Sequence, residues 1–95
     1  MKTKYTVKIT SQFKKQYKLM VKQGINLSEL DTVIIMLAKG EELPVKYKDH
    51  QLTGTLKDIR ECHIKDDWLL EYQIFEQILV LSLVAIGSHS ELFKK

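Results

Sequence analysis

Ninety-five residues, 44% of them apolar and 28% charged, describe one folded domain and argue against a disordered chain. The net charge of +3 understates an asymmetry, because seven lysines fall between positions 2 and 22 and the first acidic residue is Glu29. Such a run suits a polyanion, either nucleic acid or an acidic protein, and suits equally well a lysine-rich solvated face.

The opening segment has lysines but no apolar stretch of the kind that starts a secretory signal, so none is expected. From Lys4 to Thr10, Tyr5, Val7 and Ile9 alternate with Lys4, Thr6 and Lys8, the period of a half-buried strand. Ser11 is placed to cap a helix whose stripe is Phe13, Tyr17, Met20 and Val21, and Gly24 ends it. A second helix, capped by Asn26 or Ser28, buries Leu30, Val33, Ile34 and Leu37. It carries Glu29 and Asp31 in its first turn, where the helix dipole favours them, and Gly40 stops it. Residues Glu41 to Gly54 read as a polar loop. Three strands follow, Lys57 to Ile64, Trp68 to Phe75 and Ile78 to Ile86, with turns at Lys65-Asp66-Asp67 and Glu76-Gln77. The third is almost continuously apolar, which predicts an interior strand covered on both faces, and it is far too short to cross a bilayer. Ser90 to Lys95 reads as a tail. The pattern predicts an α+β domain of order β-α-α-β-β-β, a helix hairpin on one face of a sheet, with the place of the first strand left open.

The residues suited to chemistry sit at loops and strand ends: His50 in the polar loop, His63 near a strand end, Asp67 and Trp68 at the turn after it, and His89 past the last strand. Imidazole and carboxylate are the usual proton movers near neutral pH. Together they suit attack of an RNA 2′-OH on the adjacent phosphate, which needs a base, an acid and positive charge but no metal. Each has a plain alternative: a loop histidine is usually a surface residue, Asp67 an ordinary turn residue, and Trp68 more often core than a stacking platform. The single cysteine, Cys62, forms no internal disulfide and fits a reducing cytoplasm. Beside His63 it is no metal signal, because neighbours on a strand point to opposite faces, and mid-strand it is a weak nucleophile.

Three segments carry a resemblance. Tyr47-Lys48-Asp49-His50-Gln51-Leu52, Arg60-Glu61-Cys62-His63-Ile64-Lys65-Asp66-Asp67-Trp68 and Gly87-Ser88-His89-Ser90-Glu91-Leu92-Phe93 resemble, in this order and spacing, the YafQ branch of the RelE superfamily. These are toxins of bacterial type II toxin–antitoxin pairs. The resemblance covers essentially the whole chain and implies an antiparallel-rich twisted sheet under a helix hairpin. It also implies a ribosome-dependent endoribonuclease that cuts messenger RNA in the A site without a metal or other cofactor. His50, His63, Asp67 and His89 would move protons and orient the phosphate, with His89 favoured as the acid. Trp68 and Phe93 would shape the pocket or stack on a base. Lys14, Lys15 and Lys18 would lie against ribosomal RNA. The implied partners are the ribosome, the messenger and a cognate antitoxin, the last consistent with a basic groove that an acidic segment can fill.

One position departs from the resemblance. Where the family typically has an arginine, four residues before the tail histidine, this chain has Ala85. Losing one such phosphate-holding group typically costs about 10²–10³ in rate. The only arginine in the chain, Arg60, shares a strand face with Cys62 and not with His63, which makes it a poor substitute. A degenerate toxin and an arginine exchanged for alanine to permit production both fit. The expectation is an attenuated nuclease, with a catalytically inert toxin fold that only binds antitoxin or ribosome as the rival. A generic small RNA-binding domain is disfavoured, since the strands lack paired aromatics.

Overall fold

The computed structural model describes residues 3–65 and 67–92. Strand β1 (Thr6–Ile9) leads into helices α1 (Ser11–Lys22) and α2 (Ser28–Ala38). A 3-10 turn at Val45–Tyr47 then precedes a two-residue strand, β2 (His50–Gln51). The meander β3 (Arg60–Lys65), β4 (Trp68–Phe75) and β5 (Val80–Ser88) follows, and a short helix α3 (His89–Leu92) closes the described chain. The sheet order is β1-β5-β4-β3-β2, with β1 parallel to β5 and every other pair antiparallel.

The helix hairpin forms for local reasons. Thr10, not Ser11, caps α1: its hydroxyl accepts from the Phe13 N–H at 3.0 Å and donates to the Val84 carbonyl at 2.6 Å, tying the helix start to β5. Asn26 accepts from the Ser28 N–H at 2.9 Å at the entrance to α2. Gly40 ends that helix at φ +81°, and a side chain there would come within 2.8 Å of Lys4, whose backbone N–H is bonded to Ala38. Phe13 and Met20 of α1 and Leu30, Val33 and Leu37 of α2 are buried in one core with Cys62, Ile64, Leu70, Tyr72, Leu81, Leu83 and Ile86 of the sheet.

The structure departs from the sequence expectation in five places. β1 is an edge strand, so only Tyr5 before it is buried, while Val7 and Ile9 are 40% and 50% exposed. Val21 of α1 is likewise outside the core. The stretch at 57–59 is not strand, because residues Gly54–Leu56 turn as a 3-10 helix and β3 starts at Arg60. His50 and Gln51 pair with β3, an edge too short for a periodicity to reveal. Ser90 to Leu92, expected as part of a tail, form with His89 the short helix α3. The apolar β5 lies inside the sheet between β1 and β4, as its composition predicts, but from Val80 to Ala85 it alternates half-buried with buried residues and so is not covered evenly on both faces.

Candidate active site

The register of the sheet assembles a row that no short motif contains. His50 stands opposite Glu61, Glu61 opposite Glu71, and Glu71 opposite Ala85, one residue from each of four strands. Opposed residues share a face. These alternate out of phase with the core residues Cys62, Leu70 and Ile86, so the row lies on the face away from that core. His63 is two residues from Glu61 on the same strand face, and its row continues through Leu69 to Gly87. A bulge between Glu71 and Tyr72, where β5 carries the extra residue Val84, brings Ala85 into this phase.

Glu61 is the centre of the arrangement. It is 4% exposed, the one buried charged side chain among the described residues. Its Oε1 lies 3.3 Å from His50 Nε2, and its Oε2 is buried with no hydrogen-bond partner among the described residues. The His50 and His63 rings stand 6.1 Å apart, centroid to centroid. One ligand-type atom from each of His50, Glu61 and His63 lies within 4.8 Å of the others. Two imidazoles and a carboxylate at that spacing can share a proton and can also hold a first-row metal ion. The sequence reading weighed only the adjacent Cys62 and His63 as a ligand pair, and the strand pairing that brings His50 to Glu61 was not legible there. Cys62 indeed points into the core, and burial first, with Asp49 and Glu61 second, pushes its thiol up to about 12.

The ring of His50 is held from both sides. Its Nδ1 lies 2.7 Å from the Lys48 carbonyl, and its Nε2 faces the Glu61 carboxyl. Both neighbours have acceptor oxygens, so with Glu61 ionised the two contacts are both hydrogen bonds only when both nitrogens carry hydrogen. In a neutral ring, one contact needs a proton supplied by Glu61. Glu71, next in the row, has its carboxyl raised above the ordinary range by burial first and by the charge of Glu61 second.

The remaining candidates lie toward one end of the sheet. Trp68 pairs with Ser88, so Asp67 in the β3–β4 turn and His89 at the start of α3 leave the sheet side by side. From Glu71 to Asp67 is four strand residues, about 13 Å of rise. His63 lies between, level with Leu69. Both Asp67 and His89 are exposed. Trp68 is half-buried against the core and also borders two cavities, of about 190 Å³ and 320 Å³, that share Ile25 with it. Lys14, Lys15 and Lys18 are exposed on α1. Phe93 lies outside the described residues. Ala85 is 1% exposed, and Arg60 is committed elsewhere, its Nε being 3.3 Å from Asp49 Oδ1.

Residues 5–94 match the model of the family described as bacterial toxin of type II toxin–antitoxin system, YafQ. The chain belongs to this family. A curated YafQ relative, the mRNA interferase toxin of Escherichia coli K12, is 31% identical over 88 residues, covering 92% of this chain and 94% of its own. A metal-bound toxin from Helicobacter pylori is 50% identical, with a TM-score of 0.87 over 94% of this chain and 99% of that one. YafQ in the E. coli DinJ–YafQ toxin–antitoxin complex superposes with a TM-score of 0.85 at 30% identity, over 95% and 98% of the two chains. For this YafQ-family chain, sequence reasoning missed Glu61 and Glu71. The signal for Glu61 was its place two before His63, on the same strand face, but burial of a carboxylate is not predicted from type alone.

Proposed function

We propose that the chain is an mRNA endoribonuclease that acts in the ribosomal A site, in the cytoplasm, and that Ala85 attenuates it. The observation that carries this reading is the His50–Glu61–His63 cluster, a proton-sharing set on an otherwise unused sheet face, one strand beyond Glu71 from the position where an arginine is typical. Family membership and the interferase relatives support the reaction class.

The chemistry needs no metal. The 2′-oxygen of the messenger attacks the neighbouring phosphorus while its proton passes to the His50–Glu61 pair. The bond from phosphorus to the 5′-oxygen then breaks, and His89 gives that oxygen a proton, leaving a 2′,3′-cyclic phosphate and a 5′-hydroxyl. His63 and Asp67 complete the group that moves protons and orients the phosphate, and Trp68 with Phe93 shapes the pocket or stacks on a base. The lysines of α1 supply the attraction to ribosomal RNA. The partner that silences the chain is an acidic, partly disordered antitoxin segment. This reading is drawn from the DinJ-bound relative together with the basic surface. Among the described residues no helix is long and apolar enough to cross a membrane.

Ala85 also favours a second reading, a toxin fold that binds antitoxin or ribosome without cutting. Both are tested by primer extension on a programmed ribosome with the chain and with Ala85→Arg. Cleavage that rises with the arginine supports the nuclease. If neither protein cuts, the binding reading replaces it.

A further inference from the structure

The loop that carries His50 is fastened to the sheet by groups with no role in the reaction above. Asp49 Oδ1 accepts from the Tyr72 hydroxyl at 2.6 Å and stands 3.3 Å from Arg60 Nε. Tyr72 is 1% exposed and belongs to the main core, while Arg60 is its cross-strand partner on β3. Both therefore sit on the core face, opposite to the row of His50, Glu61, Glu71 and Ala85. Asp49 reaches them around the sheet edge, and the next residue turns onto the other face as His50. The backbone between is constrained. Tyr47 is buried and donates to Glu29, and Lys48 takes a left-handed conformation at φ +49°. That conformation presents the Lys48 carbonyl to His50 Nδ1. Burial, and then the Asp49 bond, hold the Tyr72 phenol well above its ordinary value, so it remains a donor.

We propose that Tyr72, Asp49 and Arg60 form a latch that positions His50: the buried phenol and the guanidinium hold Asp49, and Asp49 fixes the strained turn that aims His50 at Glu61. The proposal rests on the reading of His50 as a proton carrier, but the latch itself is a statement about ring position. It also gives Arg60 a role other than holding phosphate. A left-handed non-glycine residue persists only where its surroundings over-determine it, and here a buried hydroxyl and an ion pair converge on the following side chain. The Lys48 N–H also bonds the Val45 carbonyl at 2.9 Å, so what Asp49 adds is the hold on the segment after it, and without that hold the His50 ring is free to leave its Nδ1 partner.

The test uses the full chain with His50 read directly. Proton NMR of the unmodified protein should show a His50 Nδ1–H protected from exchange by the Lys48 carbonyl, and cross-relaxation between the His50 and His63 rings. Tyr72→Phe removes one oxygen, and Asp49→Ala removes the acceptor. Each should erase the protected Nδ1–H and the ring contact while His63 and His89 resonances stay sharp. Asp49→Asn, which keeps an acceptor for Tyr72 but not the charge facing Arg60, should retain part of both signals. In an Ala85→Arg background, Tyr72→Phe and Asp49→Ala should lower kcat about tenfold with KM unchanged, the usual scale for loss of an orienting partner. The latch is overturned if both variants keep the His50 signals, or if His63 and His89 broaden equally, which would mark general loosening. Asp49 is near the surface, so its variants decide the matter should Tyr72→Phe fail to fold. If the His50 signals vanish and kcat does not move, the latch stands and the catalytic role of His50 falls.

Discussion

Ala85→Arg is the most direct perturbation of the site. Residue 85 is buried and stands across from Glu71, where opposed side chains begin about 5 Å apart. Forcing an arginine into that packing should cost about 1–3 kcal/mol. Attraction to Glu71 at that spacing amounts to about 3 kcal/mol at an effective dielectric of about 20, before desolvation of the guanidinium is counted. Desolvation of the guanidinium at so buried a position tips the balance, so the variant should fold but be less stable than the parent. Glu71 can occupy one edge of the guanidinium and leave the other free for phosphate. Charge placed where the transition state develops it should raise the cleavage rate by at least about 10². Lysine at 85 should rescue less, lacking the planar fork. Adding His89→Gln to the arginine variant should remove most of the gain, because acid and clamp act on one step. Single-turnover primer extension on a programmed ribosome with these four proteins measures all three effects. Equal rates for the parent and Ala85→Arg would refute the clamp assignment.

Lys14, Lys15 and Lys18 to Gln together should weaken ribosome binding and reduce the slope of log affinity against log salt by about 2–3, with the melting temperature unchanged since all three are exposed. A sedimentation assay across a salt series that finds the same slope would return these lysines to a merely solvated face. Cleavage by Ala85→Arg should survive EDTA, and loss of activity on chelation would show that the His50–Glu61–His63 set works through a metal. The Glu71 carboxyl is raised above its ordinary value, so its native state holds the proton more tightly than the unfolded chain. Its favourable contribution is therefore complete below that value and is lost as pH rises through the native one. Glu71→Gln should accordingly gain stability over the parent on going from pH 4 to pH 7, and urea melts giving a constant difference would contradict this.

The helices and the meander were legible because their signals are local. Alternation, stripes, Gly24 and Gly40 act within a few residues of where they are read. What was not legible depended on partners distant in sequence. Val7 and Ile9 alternate like a buried strand, yet β1 lies at an edge that the helices leave uncovered. Ser11 looked like the cap because it opens the helical pattern, while Thr10 wins by satisfying Phe13 and Val84 with one hydroxyl. The histidines were found by type and place. Glu61 and Glu71 were not, since their roles follow from strand register, which a bulge opposite Val84 resets by one residue.

That register also bears on what an alanine at 85 does. Two carboxylates, Glu61 and Glu71, stand side by side in the row that would receive a phosphodiester. A nuclease tolerates a carboxylate base near phosphate only where a cation offsets it. In this row the cation's place is the fourth, next to Glu71 and two strands from Glu61. An arginine there would lower the carboxyl of Glu71, leave Glu61 as the carboxylate paired to His50, and still present charge to the phosphate. Alanine removes all three at once. The site then keeps its proton carriers while its face turns electronegative. In the molecule as it stands, burial first and the charge of Glu61 second hold the carboxyl of Glu71 up.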